Sequence, residues 1–390
     1  MSKGGCSLRV VDLFCGCGGM SLGFQNAGFE IVRAFDFWDC AVNCYAKNLD
    51  HPVSIMDLSN VDHAVETIIQ YNPEVIIGGP PCQDFSTAGN RQEGQRANLT
   101  LSFAQIIARV SPPFFVMENV ESVSRSVAYS GAMDIFREAG YGITEKVLDA
   151  SLCGVPQKRK RFFCIGEKNG GDGFLESSLS TNQSIFPLTV RDYFNQQDYE
   201  INFTYYYRHP RSYTRRAIFS IDEASPTIRG VNRPKPSEYN QHPGDLIDPQ
   251  EARSLTYMER ALIQTFPSTY LWDGVLADIE QMIGNAVPVK LAEYIARCLL
   301  GYIRGDINLR NLGFIDWLKK EKNLSVRVAG DTLSRVGRAR RILDIQGDNF
   351  DEYISRLTKA ENFQLIVPSV RSQIKRAIKL YFEYVSQPII

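Results

Sequence analysis

Short apolar runs recur along the first half of the chain, separated by segments of helical period, and the runs end on polar or glycine residues. Leu8 to Phe14, Ile31 to Phe35, Val53 to Ile55, Val75 to Ile77 and Phe114 to Met117 are rich in β-branched and aromatic side chains and too short for buried helices. Such runs read as strands, and the more apolar ones as strands buried on both faces. Ser21 to Ala27 and a segment starting near Thr100 read as helices between them. This alternation predicts an α/β fold with a doubly wound mixed sheet, in which strand ends line a crevice.

The ends of these strands carry the chemistry. Val75 to Ile77 stops at Gly79-Pro80-Pro81-Cys82-Gln83. Proline fixes its own φ and biases its predecessor to an extended form, so the corner holds the Cys82 thiol with little freedom. A free thiol has a pKa of about 8.5, and a nucleophilic role needs a cation nearby; a buried structural cysteine is the blander alternative. Phe114 to Met117 ends at Glu118-Asn119, which sets Glu118 at the same sheet edge, as an acid or as the partner of an arginine. Gln157-Lys158-Arg159-Lys160-Arg161 leads into a further strand to Gly166, and alternation puts Arg159 and Arg161 on one face. Two adjacent guanidinium groups call for anions opposite, and they are the natural cations to raise the thiolate fraction of Cys82.

Between the first strand and first helix lie Gly16, Gly18, Gly19 and Gly23. Glycine lets a ligand approach main-chain amides at a helix start, although a tight structural turn would use the same residues. The spacing is not the dinucleotide fingerprint, which a cofactor without a pyrophosphate does not need. Asp36 ends the second run about twenty residues later, where a doubly wound fold places an acid against ribose hydroxyls.

Composition adds bounds. The chain has 390 residues and a formal net charge of −1, so two or three domains are expected and any polyanion must meet locally concentrated positive charge. Nine cysteines lack paired spacing, and Cys15-Gly16-Cys17 is too little for zinc, so a reducing compartment and no metal are expected. The amino terminus leaves no room for a signal sequence before the first glycine motif, and no apolar stretch would span a bilayer; a cytoplasmic enzyme away from membranes is expected. Asn169 to Gly173 and the polar Glu176 to Ser184 read as a boundary. Tyr205 to Pro236 then carries Arg208, Arg211, Arg215, Arg216, Arg229, Arg233 and Lys235 against Asp222 and Glu223, interleaved with Tyr205, Tyr206, Tyr207 and Tyr213. That mixture suits phosphate contact and base reading, or a basic surface over an aromatic core. Residues 301–390 hold sixteen Lys and Arg against ten Asp and Glu, and Ser369 to Val385 reads as a basic amphipathic helix of a helical accessory extension.

The ordered set Asp12-Leu13-Phe14-Cys15-Gly16-Cys17-Gly18-Gly19, Pro80-Pro81-Cys82-Gln83, Glu118-Asn119-Val120, Gln157-Lys158-Arg159-Lys160-Arg161 and Gly284-Asn285-Ala286-Val287-Pro288 resembles the DNA cytosine-5 methyltransferases of bacterial restriction-modification systems, over roughly residues 8 to 300. Arg253 to Pro267 resembles the family's penultimate motif, with Met258 in place of its usual arginine. The resemblance implies a Rossmann-like fold that binds S-adenosylmethionine and releases S-adenosylhomocysteine, without a metal. It implies Cys82 as nucleophile at cytosine carbon 6, Glu118 at ring nitrogen 3, and Arg159 and Arg161 as their cationic partners. For the cofactor it implies Asp36 on the ribose, Phe14 and Phe37 on the adenine ring and Asp57 on its amino group, with Gly16, Gly18, Gly19, Pro80 and an Asn285 that opens the final helix. For DNA it implies Ser86, Thr227 and arginines among Arg215, Arg216, Arg229 and Arg233, with residues 84–99 as a lid.

The expected division is 1–166 for cofactor and catalysis, 167–250 for target recognition, 251–300 for a return to the first domain and 301–390 for the helical extension. Double-stranded DNA, a cognate restriction endonuclease encoded nearby and a monomeric state complete the expectation. An RNA cytosine-5 methyltransferase acting on transfer RNA and an inactive DNA-binding scaffold are the alternatives. The Cys-Phe-Thr tripeptide of the RNA-modifying branch does not occur here, and a scaffold needs none of the reactive set.

Overall fold

The computed structural model of the chain describes residues 7–81, 98–184, 186–197, 199–210, 215–236, 239, 241–245, 247–248, 251–304, 314, 317–319, 321–343 and 349–385. Its contacts form two units, Met1–Phe174 with Phe186–Arg297, and Leu175–Ile185 with Cys298–Ile390.

The larger unit is built on strands β1 (Arg9–Leu13), β2 (Glu30–Asp36), β3 (Val53–Ile55), β4 (Val75–Gly78), β5 (Phe114–Asn119), β6 (Tyr141–Asp149), β7 (Gln157–Lys158) and β8 (Lys160–Lys168). Seven of them make one sheet in the order β3-β2-β1-β4-β5-β8-β6. From β3 to β5 neighbours run parallel, while β8 is antiparallel to both β5 and β6. This is the doubly wound mixed sheet that the apolar runs predict. The chain goes outward from β1 to β2 and β3 and then returns to β4 on the other side, so the carboxyl ends of β1 and β4 flank the point where the winding reverses.

Central strands are apolar throughout because both faces are covered. Val10, Val11, Val75, Ile76, Ile77, Phe115, Val116 and Met117 are fully buried. Helices α1 (Gly19–Ala27), α2 (Asp39–Asn48), α3 (Val61–Ile68), α4 (Asn98–Val110) and α5 (Val127–Glu138) connect the strands. Phe136 of α5 stacks on Phe115 with centroids 4.3 Å apart, and Phe103 of α4 meets both edge-on. Burying each ring contributes about 2–3 kcal/mol.

The register between β5 and β8 sets up the site. Asn119 faces Phe162 and Glu118 faces Phe163, so the first residues of β8 lie beside the carboxyl end of β5.

The basic region between Tyr205 and Pro236 packs into the same unit. Tyr205–Tyr207, Ile218–Ser220 and Arg253–Ser254 form a three-stranded sheet, and Ser225–Pro226 pairs in parallel with β7. Tyr206 is 0% exposed and Tyr207 1%, and each sits in a hydrophobic cluster. These two tyrosines are core residues, so the base-reading alternative for them is corrected: packing under the small sheet removes both rings from any partner. Tyr213 and Arg211 lie outside the described residues.

A further correction concerns an element boundary. Asn285 does not open the last helix of the unit; it closes the helix Leu276–Asn285, and Ala286 to Pro288 separate it from the next, Val289–Ile303. Pro288 cannot continue the first helix and suits the entry of the second. The polar stretch 176–184, read as a boundary, lies where the chain passes from one unit to the other, and it contains the helix Glu176–Thr181.

The smaller unit also holds helices Val326–Ile342, Phe350–Lys359, Glu361–Gln364 and Pro368–Val385. They enclose their own core of Leu333, Val336, Tyr353, Leu357, Phe363, Ile374, Ile378 and Tyr381, and Asn349 with Glu352 caps one helix reciprocally. No helix among the described residues is long and apolar enough to cross a membrane.

Candidate active site

Pro80 follows β4, and its carbonyl accepts a 3.0 Å hydrogen bond from Asn119 Nδ2 at the end of β5. The two strand ends are thereby tied together. Gly79 lets the carboxyl of Glu118 approach the backbone closely: a Cβ there would lie 3.1 Å from Glu118 Oε2. The carboxylate thus rests over the backbone that leads, three residues on, to Cys82. Cys82 itself, Ser86 and the lid segment up to residue 97 lie outside the described residues.

Glu118 is 8% exposed, and its Oε1 lies 2.8 Å from Arg161 Nε. Burial pushes the carboxyl above the ordinary glutamate range, and the charges of Arg161 and Arg159 oppose that without cancelling it. Arg161 also donates to the Lys160 carbonyl at 2.8 Å.

Arg159 is 1% exposed and spends its guanidinium on carbonyls. It donates to Ile228 O at 2.9 Å, Gly284 O at 3.0 Å and Ala286 O at 3.1 Å. The extended run does carry both arginines near Glu118, yet only Arg161 bonds to it. Sequence reasoning missed the groups around Arg159. Gln157 Oε1 accepts from Ile228 N at 2.8 Å and its amide donates to Gln264 Oε1 at 2.8 Å. Gln264 in turn donates to Ala286 O at 3.2 Å and to Ile283 O. Arg260 pairs with Glu280 at 3.0 Å and donates to Arg229 O. Gly284 meets the Arg229-Gly230 backbone so closely that a Cβ there would lie 2.0 Å from Gly230 N. The signal available in sequence was Gln264 itself, a polar residue inside the otherwise apolar end of the Arg253 to Pro267 stretch.

At the carboxyl ends of β1 and β2, Asp36 Oδ2 accepts from Gly16 N at 2.7 Å and Oδ1 from Trp38 N at 2.9 Å. Burial raises its pKa, and these amides partly offset that. The backbone between them is left-handed at Phe14 (φ 59°), Gly16 (φ 53°) and Gly18 (φ 92°). For Phe14 that conformation carries strain of order 1–2 kcal/mol. Phe14 is half-buried against the core of β1, and the space above Gly16 is open. Gly19 lets the Val287 carbonyl approach, since a Cβ would lie 2.3 Å from it, which brings the Asn285 segment to the glycine turn. Asn285 is exposed, Phe37 is 72% exposed and Pro80 is buried. Asp57 is exposed, and its Oδ1 accepts from the amide of Ser59 at 2.9 Å and from its hydroxyl at 2.6 Å.

Beneath the turn runs a buried chain of hydroxyls. Ser21 donates to Asp12 Oδ2 at 2.6 Å, Tyr45 donates to Ser21 at 2.8 Å, and His51 Nδ1 lies 2.7 Å from the Tyr45 hydroxyl. Burial pushes Asp12 up to about 7, with the Ser21 hydrogen bond opposing and the Asp36 charge adding.

The basic residues between Tyr205 and Pro236 divide by partner. Arg216 pairs with Glu223 at 2.5 Å and covers the Phe219 ring at 4.3 Å; Arg208 donates to Thr227 O at 2.6 Å. Arg229 donates to His209 O, and Lys235 to Ala252 O at 3.3 Å. Thr227 donates its hydroxyl to Lys158 O at 2.9 Å. Arg215 and Arg233 are exposed. Among the described residues no group of three or more His, Cys, Asp or Glu is arranged to hold a metal.

The family model for C-5 cytosine-specific DNA methylases matches residues 8–300. Type II methyltransferase M.HgiDI of Herpetosiphon aurantiacus is 52% identical over 297 residues, which are 76% of this chain and 95% of that protein. Type II methyltransferase M.HindV of Haemophilus influenzae is 50% identical over 309 residues, 78% of this chain and all (100%) of the relative. The fold is shared with the crystal structure of the S. pombe Dnmt2 methyltransferase, with a TM-score of 0.57, 18% identity, and coverage of 76% of this chain and 99% of that one. A family match across the whole sheet-bearing unit, together with such relatives, means that this chain belongs to the C-5 cytosine-specific DNA methylases.

Proposed function

We propose that the chain methylates carbon 5 of a cytosine swung out of double-stranded DNA, through a covalent adduct with Cys82, as the modification enzyme of a Type II restriction-modification system. The observation that carries this reading is Glu118, buried, braced by Arg161 and lying over Gly79 on the approach to Cys82. Extruding the base costs a few kcal/mol, offset by pocket and backbone contacts.

The thiolate of Cys82 adds to carbon 6 only if the ring accepts the electron pair. Glu118 meets that need by holding a proton against ring nitrogen 3, and its burial favours the protonated form that donates there. Arg161 fixes the direction of the carboxyl. Loss of the carbon 5 proton to water, return of the nitrogen 3 proton to Glu118 and expulsion of the Cys82 thiolate then restore the ring.

S-adenosylmethionine fits the carboxyl ends of β1 and β2. Space is open above Gly16, the Phe37 ring is exposed, and both Asp36 oxygens retain a lone pair after accepting one amide each. Asp36 would hold the ribose, with Phe37, Phe14 and Asp57 around the adenine and Gly16, Gly18, Gly19, Pro80 and Asn285 lining the rest. When bound, this cofactor supplies the electrophilic methyl group that carbon 5 takes. Among the described basic residues between Tyr205 and Pro236, Arg215 and Arg233 are exposed and free to reach DNA.

The test is a duplex carrying 5-fluorocytosine at the target, incubated with cofactor. The parent protein is expected to form an adduct that survives denaturation, and Cys82→Ala none; methyl transfer by Cys82→Ala at the parent rate overturns the covalent step.

A further inference from the structure

The helix Pro368–Val385 belongs to the smaller unit, beyond the residues that the family model covers. Its inner face is Ile374, Ala377, Ile378 and Tyr381, all buried in that unit's own core. At 100° per residue, Lys375, Lys379 and Arg376 fall on the half of the helix turned away from those four, and Arg371 lies at the border of the buried face, 20° from Ile378. Arg376 and Lys379 are exposed, and Arg371 and Lys375 are half-exposed. None of the four has an ion-pair partner among the described residues, whereas the one acid on this helix, Glu383, is already taken by Lys322 at 2.9 Å.

Arg371, Lys375 and Lys379 repeat at i, i+4 and i+8, about 6 Å apart along the axis. Like charges at that spacing weaken a helix. The apolar face is what holds this helix in its unit, and an anion arriving from outside would relieve the repulsion along the stripe. A regular row of closely spaced anions offsets such a stripe, and the substrate of this family is one, with a charge per about 1.7 Å of duplex. An acidic protein partner would meet the same charge without needing the repeat.

We propose that this helix face is a second, sequence-independent DNA-binding surface that holds duplex phosphates outside the recognition site. The proposal rests on DNA being the substrate and is independent of how Cys82 and Glu118 act. It adds affinity and a longer footprint without reading bases.

The experiment uses the full chain with Arg371→Gln, Lys375→Gln and Lys379→Gln combined, binding a long duplex at a series of salt concentrations. Each phosphate that the protein no longer neutralises lowers the slope of log Kd against log salt by about 0.9. A slope reduced by one or more is expected, with methyl transfer on a saturating short duplex unchanged. A slope reduced by less than one overturns the proposal and leaves the catalytic reading standing; loss of turnover on the short duplex also counts against it. Chemical acetylation of the unaltered protein provides a readout that needs no variant. Bound DNA is expected to protect Lys375 and Lys379, and equal modification with and without DNA overturns the assignment.

Discussion

Arg161 Nε lies 2.8 Å from Glu118 Oε1, because antiparallel pairing sets Phe163 beside Glu118 and Phe162 beside Asn119. The pair is almost wholly desolvated, with side-chain exposures of 16% and 11%. Removing Arg161 leaves the buried carboxyl without its charged hydrogen-bond donor, which costs about 1–3 kcal/mol. Arg161→Ala is therefore expected to lower the melting temperature and to reduce kcat by 10²-fold or more. Glu118→Gln keeps the shape but not the acid, and a kcat loss of about 10²–10⁴ is expected in single-turnover assays. Parent-like turnover in Glu118→Gln removes the acid from the mechanism.

Gly79→Ala tests the contact between the two strand ends. The added methyl would press on Glu118 Oε2 from 3.1 Å, so the carboxyl must shift by a few tenths of an ångström. An intact fold with kcat lowered about 10-fold is expected, since small misplacement of a catalytic group is expensive in rate. A drop in melting temperature without a change in kcat contradicts the placement.

Gly284→Ala should act through structure. Its Cβ would lie 2.0 Å from Gly230 N and 2.3 Å from the Arg229 carbonyl carbon, neither of which can rotate away. Overpacking of this kind costs about 1–3 kcal/mol. A melting temperature lowered by several degrees and a raised KM for DNA are expected, because the displaced backbone belongs to the region proposed to meet DNA.

Asp12 gives a pH prediction with a definite sign. Its carboxyl is fully buried and pushed up to about 7, from an ordinary value of 3.8. As pH rises between those values the unfolded chain releases the proton while the folded one keeps it, so stability from this group is full below 3.8 and lost by about 7. The loss amounts to about 4 kcal/mol at most. Asp12→Asn keeps an oxygen for Ser21 and cannot ionise. Its melting temperature relative to the parent is expected to climb from pH 4 to 7 and then level; a difference independent of pH refutes the assignment.

Arg233→Ala separates an exposed cation from those tied into the fold. DNA affinity is expected to fall about 10-fold with a salt slope lower by about 1, while kcat at saturating DNA holds. Arg216→Ala, which breaks a pair with Glu223 and uncovers Phe219, should instead lower thermal stability.

What the sequence determined was whatever is encoded locally. Five apolar runs define β1 to β5, Pro80-Pro81 and Glu118-Asn119 mark strand ends, and the glycines before Met20 open a turn that Asp36 closes. Strand period and turn chemistry act over a few residues, so the doubly wound sheet and its crevice were legible from them. Only the tertiary structure decided partners. Arg159 and Arg161 are alike in sequence and two residues apart, yet one bonds to Glu118 and the other to carbonyls of Ile228, Gly284 and Ala286, because those come from segments 69 and more residues away. Tyr206 and Tyr207 went to the core for the same reason, and Asn285 closed a helix because Pro288 prevented its continuation. Composition can say that a residue is able to bond or be buried. The neighbours that long-range packing brings to it decide which it does.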